Sequence, residues 1–218
     1  MDAAAVEKAI ADGDLQGIRE LLKSSPELAL SETSAGVSVL MLALYQGKSA
    51  IADLLAEQVD SLPLFEAVAL GRLEAVRPLL QADPNRLQAW SSDGFQPLHL
   101  AAFFARQPVL NHLLSLGADP NQRARQPGAM TPLHSAAASR QTAGVEALLE
   151  AGADPNIQQG GGFTALMSAA LHGNLAMIDT LLRSGADRQL QADDGRRARD
   201  MAAQSGHSEA VLRLDAVD

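Results

Sequence analysis

The sequence predicts an all-α solenoid of stacked helix–turn–helix units. Three observations predict it. A block recurs as "QPLHLAAF" from Gln96, "TPLHSAAA" from Thr131, "TALMSAAL" from Thr164 and a degraded "RARDMAAQ" from Arg197, at steps of 35, 33 and 33 residues. A turn sequence recurs in phase with it, "GADPN" at Gly117 and Gly152 and "GADRQ" at Gly185. Between these marks, apolar residues fall at helical spacing, as with Leu133, Ala136 and Ala137 and then Val145, Leu148 and Leu149. Neither helix is long enough to be stable alone. Each must bury its stripe against its partner and against the next copy.

Composition agrees. The 218 residues can bury a sizeable core, but only five Phe, one Trp and one Tyr are available to it. Aliphatic side chains and alanine must do the packing, which suits close-packed helices better than a β-sandwich. There is no cysteine, so disulfides, a thiolate nucleophile and cysteine-type zinc sites are all excluded. A formal net charge of −9 argues against nucleic acid as a partner. No apolar run approaches the ~20 residues of a membrane helix, and the N-terminus lacks the apolar core of a signal peptide. The cytoplasm is the expected location.

Several signature positions follow from backbone physics. Gly117, Gly152 and Gly185 stand where a helix ends with positive φ. Pro120 and Pro155 fix φ in the turn that follows. Pro97 and Pro132 take a first helical position, where a missing N–H costs nothing.

The T-P-L-H-x-A-A run at Thr131–Ala137, its copy at Gln96–Ala102 and the recurring G-A-D-x-N resemble the ankyrin repeat. The resemblance covers essentially the whole chain, read as a single domain, and its order of segments also resembles small bacterial ankyrin proteins. It implies β-hairpin fingers between helix pairs. The units in order are an N-terminal cap at 1–30, internal repeats at 31–60, 61–84, 85–119 and 120–152, a last full repeat at 153–186 and a C-terminal cap at 187–218. Three departures matter. Ala105 and Arg140 replace the glycine that stands between the two helices as Gly47, Gly71, Gly173 and Gly206 elsewhere. The step from "SVLMLALYQG" at Ser38 to "LPLFEAVALG" at Leu62 is only 24 residues, so one finger is missing near 56–62 and a notch is expected there. Pro78 falls inside a helix and should bend it.

No catalytic set is evident. The resemblance gives His99 and His134 a structural bond to finger backbone. His112, His172 and His207 lie in different units with no partner at helical spacing, so no metal site is expected. Asp193-Asp194-Gly195 reads as a turn and "GGG" at 160–162 as a flexible finger tip. Arg196, Arg197 and Arg199 read as a solvated cap face. No cofactor is implied.

Four of the seven aromatics crowd into residues 90–104, as Trp90, Phe95, Phe103 and Phe104. The resemblance maps them to the concave recognition face of fingers and first helices. Partner-binding residues are accordingly expected at Trp90, Phe95, Phe103 and Phe104. Tyr45 and Leu70 are expected as neighbours, and Arg123 and Arg125 as a positive finger tip. Packing of Phe103 and Phe104 between helices is the competing expectation. The expected function is binding of another protein, as a monomer. The alternatives are self-association through the same patch, or a small-molecule or catalytic site in the notch.

Overall fold

The computed structural model describes residues 3–216. Its fourteen α-helices form seven antiparallel pairs: α1 (Ala3–Asp12) with α2 (Leu15–Ser24), α3 (Val39–Tyr45) with α4 (Ser49–Ala56), α5 (Leu64–Leu70) with α6 (Leu73–Ala82), α7 (Pro97–Phe103) with α8 (Gln107–Ser115), α9 (Pro132–Ala138) with α10 (Thr142–Glu150), α11 (Ala165–Leu171) with α12 (Leu175–Arg183), and α13 (Ala198–Gln204) with α14 (Ser208–Asp215). The first helices of the pairs pack in one row and the second helices in another. The core runs the length of the stack between the rows. Val145 and Leu148 are fully buried there, and Leu149 is partly buried. Ala101, Ala102, Ala136, Ala137, Ala169 and Ala170 are the small residues that let the first row close up.

The fingers differ from the hairpins the resemblance implies. Among the described residues there is no β-ladder, only an isolated antiparallel bridge between Glu32 and Ser38. A backbone bond closes each finger at the base of its tip: the amides of Thr33, Ser91, Ala124, Gln159 and Ala192 donate to the carbonyls of Val37, Phe95, Met130, Phe163 and Arg196. The third spans two more residues than the others, which accounts for the 35-residue step. Successive tips then bond to each other. The amides of Arg125, Gly160 and Asp193 donate to the carbonyls of Gly94, Gly128 and Gly161. A second thread runs through the GADPN asparagines. Asn121 donates to the Gly152 carbonyl (2.9 Å) and accepts from the Asp154 amide (2.8 Å). Asn156 does the same one unit on, with Gly185 and Asp187.

These threads correct one expectation. The tip at 160–162 is not a free, flexible loop. A Cβ on Gly162, already at φ +73, would meet the Asp193 amide nitrogen at 2.8 Å, so the glycine permits the close approach of two fingers.

Ala105 and Arg140 do take left-handed backbone, at φ 58 and φ 61, matching Gly47, Gly71, Gly173 and Gly206. For non-glycine residues this costs roughly 1–2 kcal/mol. Ala105→Gly and Arg140→Gly are therefore expected to be neutral or stabilising by up to about 1 kcal/mol in urea unfolding, despite glycine's looser unfolded chain. Clear destabilisation by both would contradict a strained backbone at these turns.

Residues 57–63, between α4 and α5, form turns and bends with no finger. On the second row, this connector and α6 line a groove of Ala56, Val59, Leu62, Ala75 and Pro78. Pro78 faces that groove, and α6 continues through it from Leu73 to Ala82. A longer repeat accounts for the missing finger. Displacing α2, the 3-10 helix Pro26–Leu30 and α3 by 58 residues gives α6, the 3-10 helix Pro84–Gln88 and α7. The α5–α8 unit thus copies α1–α4, and α5, which no finger precedes, stands where α1 stands in the first copy.

Candidate functional site

From α3 onward, the position two residues before the positive-φ turn is occupied in chain order by Tyr45, Ala69, Phe103, Ala138, Leu171 and Gln204. Tyr45 and Phe103 belong to pairs that are not adjacent, with α5 between them. Because α5 offers only Ala69 here and brings no finger, the two rings meet over it, 6.1 Å between centroids. Phe104 joins them at 5.3 Å from Tyr45 and 5.1 Å from Phe103 in an edge-on contact. Such spacings lie in the favourable range for aromatic pairs. Leu70, at the end of α5, is half-buried and packs against the core.

The Tyr45 hydroxyl then reaches Asp93 Oδ2 at 2.6 Å, in the finger that precedes α7. Burial and this hydrogen bond push the phenol far above its ordinary pKa, so it stays a donor. Asp93 also accepts from the Ser91 hydroxyl, and its carbonyl accepts from the Gln126 amide group at 2.6 Å. The expected open notch is therefore spanned on the finger side by a phenol–carboxylate bridge. What remains is a recess of about 100 Å³ lined by Tyr45, Phe95, His99, Leu100, Phe103, Met130 and Ser135.

Exposure divides the expected residues. Phe103 is 40% exposed, and so is Leu171 at the same register two pairs further on. Trp90, Phe95, Phe104 and Tyr45 are half-buried. Trp90 lies under the Arg125 guanidinium, 4.3 Å from the ring centroid, a cation–π contact. Arg123 is turned onto backbone, donating to the Gln158 carbonyl at 2.9 Å. Both arginines are exposed, but their head groups also serve the finger row.

His99 and His134 are buried and tie each first helix to the next finger. Nδ1 of each accepts a backbone N–H, from Gln96 and from Thr131, which leaves the proton on Nε2. Nε2 donates to the Met130 carbonyl at 3.2 Å in one case and to the Phe163 carbonyl at 3.1 Å in the other. Desolvation lowers both histidines to about 4. They are structural, and His99 reaches the recess only as one of its walls.

Sequence reasoning missed Glu66. In α5 it holds the register filled by Leu42, Leu100, Ser135 and Ser168 in other first helices. It is only 8% exposed, and it accepts a bond from the Ser38 hydroxyl at 2.8 Å. The signal was a lone acid at a register that α3 and the later first helices fill with apolar or small residues.

Among the described residues, the last two units carry three ion pairs. Arg196 meets Asp194 at 2.6 Å, Arg199 meets Asp215 at 2.8 Å, and Arg213 pairs with Asp179, as a solvated cap face would. Among the described residues, no three or more His, Asp or Glu side chains converge as metal ligands, and no helix is long and apolar enough to cross a membrane.

The ankyrin-repeat family model matches residues 93–125 as one repeat and residues 133–215 as three copies. The chain belongs to the ankyrin-repeat family. Ankyrin repeats are in general protein–protein interaction modules without catalytic activity of their own. The matched region starts at the finger carrying Asp93 and Phe95. The repeats before it, including the Tyr45 and Glu66 helices, are those whose signatures are weakest.

Proposed function

We propose that this ankyrin-repeat chain is a receptor for another protein, which docks on the concave face formed by the fingers and first helices, centred on Phe103. The observation that supports this reading is Phe103 itself. A Phe at the close of a first helix could be buried between neighbours, yet it stands 40% exposed at the mouth of an apolar recess. Anchors of this kind, rigid and surrounded by partly buried apolar side chains, carry most of the energy in protein interfaces. Tyr45, Phe95, Phe104 and Leu70 shape the recess and its surroundings. Trp90 with Arg125, and Arg123 beyond it, form the finger side of the same face.

Selection of binders from a displayed library of random 12-residue peptides tests this reading. Binding of the selected peptides is expected to fall at least about 30-fold for Phe103→Ala, the scale of a hot-spot truncation. Urea unfolding of that variant should barely change. Full-strength binding to Phe103→Ala would contradict docking at this face. Light scattering of the free chain addresses self-association, and a dimer broken by Phe103→Ala would assign the face to a second copy instead.

A further inference from the structure

We propose that the partner segment docking on this face is cationic, with one apolar side chain seated in the recess and a neighbouring Lys or Arg beside Glu66 and Asp93. This deepens the docking reading above and rests on it.

The recess sets the apolar part. At about 100 Å³, lined by aromatic and aliphatic groups with His99 and Ser135, it has room for a single aliphatic side chain and not for a ligand of drug size.

The charge sets the rest. Tyr45, on the wall of the recess, feels both the Asp93 and the Glu66 carboxylates. Glu66 is buried, and a hydroxyl is what it accepts from. Asp93 is bonded through the hydroxyls of Tyr45 and Ser91. Among the described residues neither acid forms an ion pair, whereas other acids on the chain do. Two arginines of neighbouring units are engaged elsewhere. Arg106 donates to the Ala69 carbonyl at 2.7 Å, and Arg125 covers Trp90. A carboxylate drawn out of water and satisfied by neutral donors alone interacts strongly with any cation that reaches it.

The wider field agrees. Residues 1–60 contain ten Asp or Glu against four Lys or Arg, a local excess of six negative charges out of the net −9 of the whole chain. This end of the molecule attracts a basic segment and speeds its encounter. It is a poor surface for a second copy in a two-fold arrangement, which would place the same acids near one another.

The peptide selection tests this directly. Enriched sequences are expected to carry Lys or Arg next to Leu, Ile, Met or Phe. A synthetic consensus peptide, followed by fluorescence anisotropy, should bind Glu66→Gln about tenfold more weakly at low salt, with a flatter dependence of affinity on salt. Gln keeps an acceptor for Ser38, so folding is expected to hold, and circular dichroism checks it. Glu150→Gln removes the same charge from an exposed site on α10 and should leave affinity unchanged. Three results would overturn the proposal. One is a consensus without basic residues that still depends on Phe103, which leaves docking intact. Another is equal loss from Glu66→Gln and Glu150→Gln, or none from either. The third is binding insensitive to Phe103→Ala, or no binder at all, which removes the docking reading as well.

Discussion

Lowering the pH from 7 to 4 is expected to cost this fold about 3 kcal/mol for each of His99 and His134. Both are buried, and both are held in the folded state at about 4 instead of the usual 6.5. The unfolded chain therefore takes up these protons first. Stability is full above about pH 6.5 and falls as the pH drops toward 4, where the folded state begins to protonate too. The geometry explains why the charged ring is unwelcome. Nδ1 faces the backbone N–H of Gln96 or Thr131, so a proton added there would point at another donor. Urea midpoints at pH 7, 5.5 and 4 measure the effect. His99→Gln/His134→Gln can keep a donor toward the Met130 and Phe163 carbonyls. It is expected to be less stable at pH 7 but to lose much less on acidification. An equal loss in the double variant would move the acid sensitivity to other groups.

Leu148→Ala is expected to cost about 2–5 kcal/mol, because it leaves a cavity in a closely packed interior. Leu148 is fully buried on α10, between the two helix rows of a central pair. Each unit of a solenoid is supported only by its neighbours, so a void in the middle weakens two interfaces at once. Chemical denaturation monitored by far-ultraviolet circular dichroism reads this directly. A change below about half a kilocalorie per mole would contradict the packing of the second row.

The parts of this fold legible in the sequence were those set by local backbone rules. Pro132 at a first helical position, Gly152 after a helix, and Arg140 forced to positive φ each follow from a few adjacent residues. The apolar stripe of Leu133, Ala136 and Ala137 is equally local. The 58-residue repeat was not legible, because its two copies share few identities. Pro26 matches Pro84 and Gly36 matches Gly94, but Glu32 stands opposite Trp90 and Val37 opposite Phe95. Backbone geometry was retained while the face changed its chemistry.

The aromatic cluster was legible in part. Its members stood out by composition, and the missing finger was visible as a short step. That Tyr45 would cross the gap to Phe103 and Asp93 depends on Ala69 being small and on a finger from the next unit curling in. Those are contacts between residues 48 and 58 positions apart, which local pattern does not encode. The roles of Arg123 and Arg125 were hidden for the same reason, since the carbonyl and the indole they meet belong to neighbouring fingers.

Photo-crosslinking tests the central claim most directly. A benzoylphenylalanine is placed at position 103 in one protein and at position 116 in another, and each is irradiated in extract of the source cells. Phe103 and Leu116 are comparably exposed, at 40% and 47%, but Leu116 follows α8 in the second row, away from the finger side. A discrete covalent adduct to another protein is expected from position 103 and none from position 116. Adducts from position 116 with none from position 103 would contradict that claim.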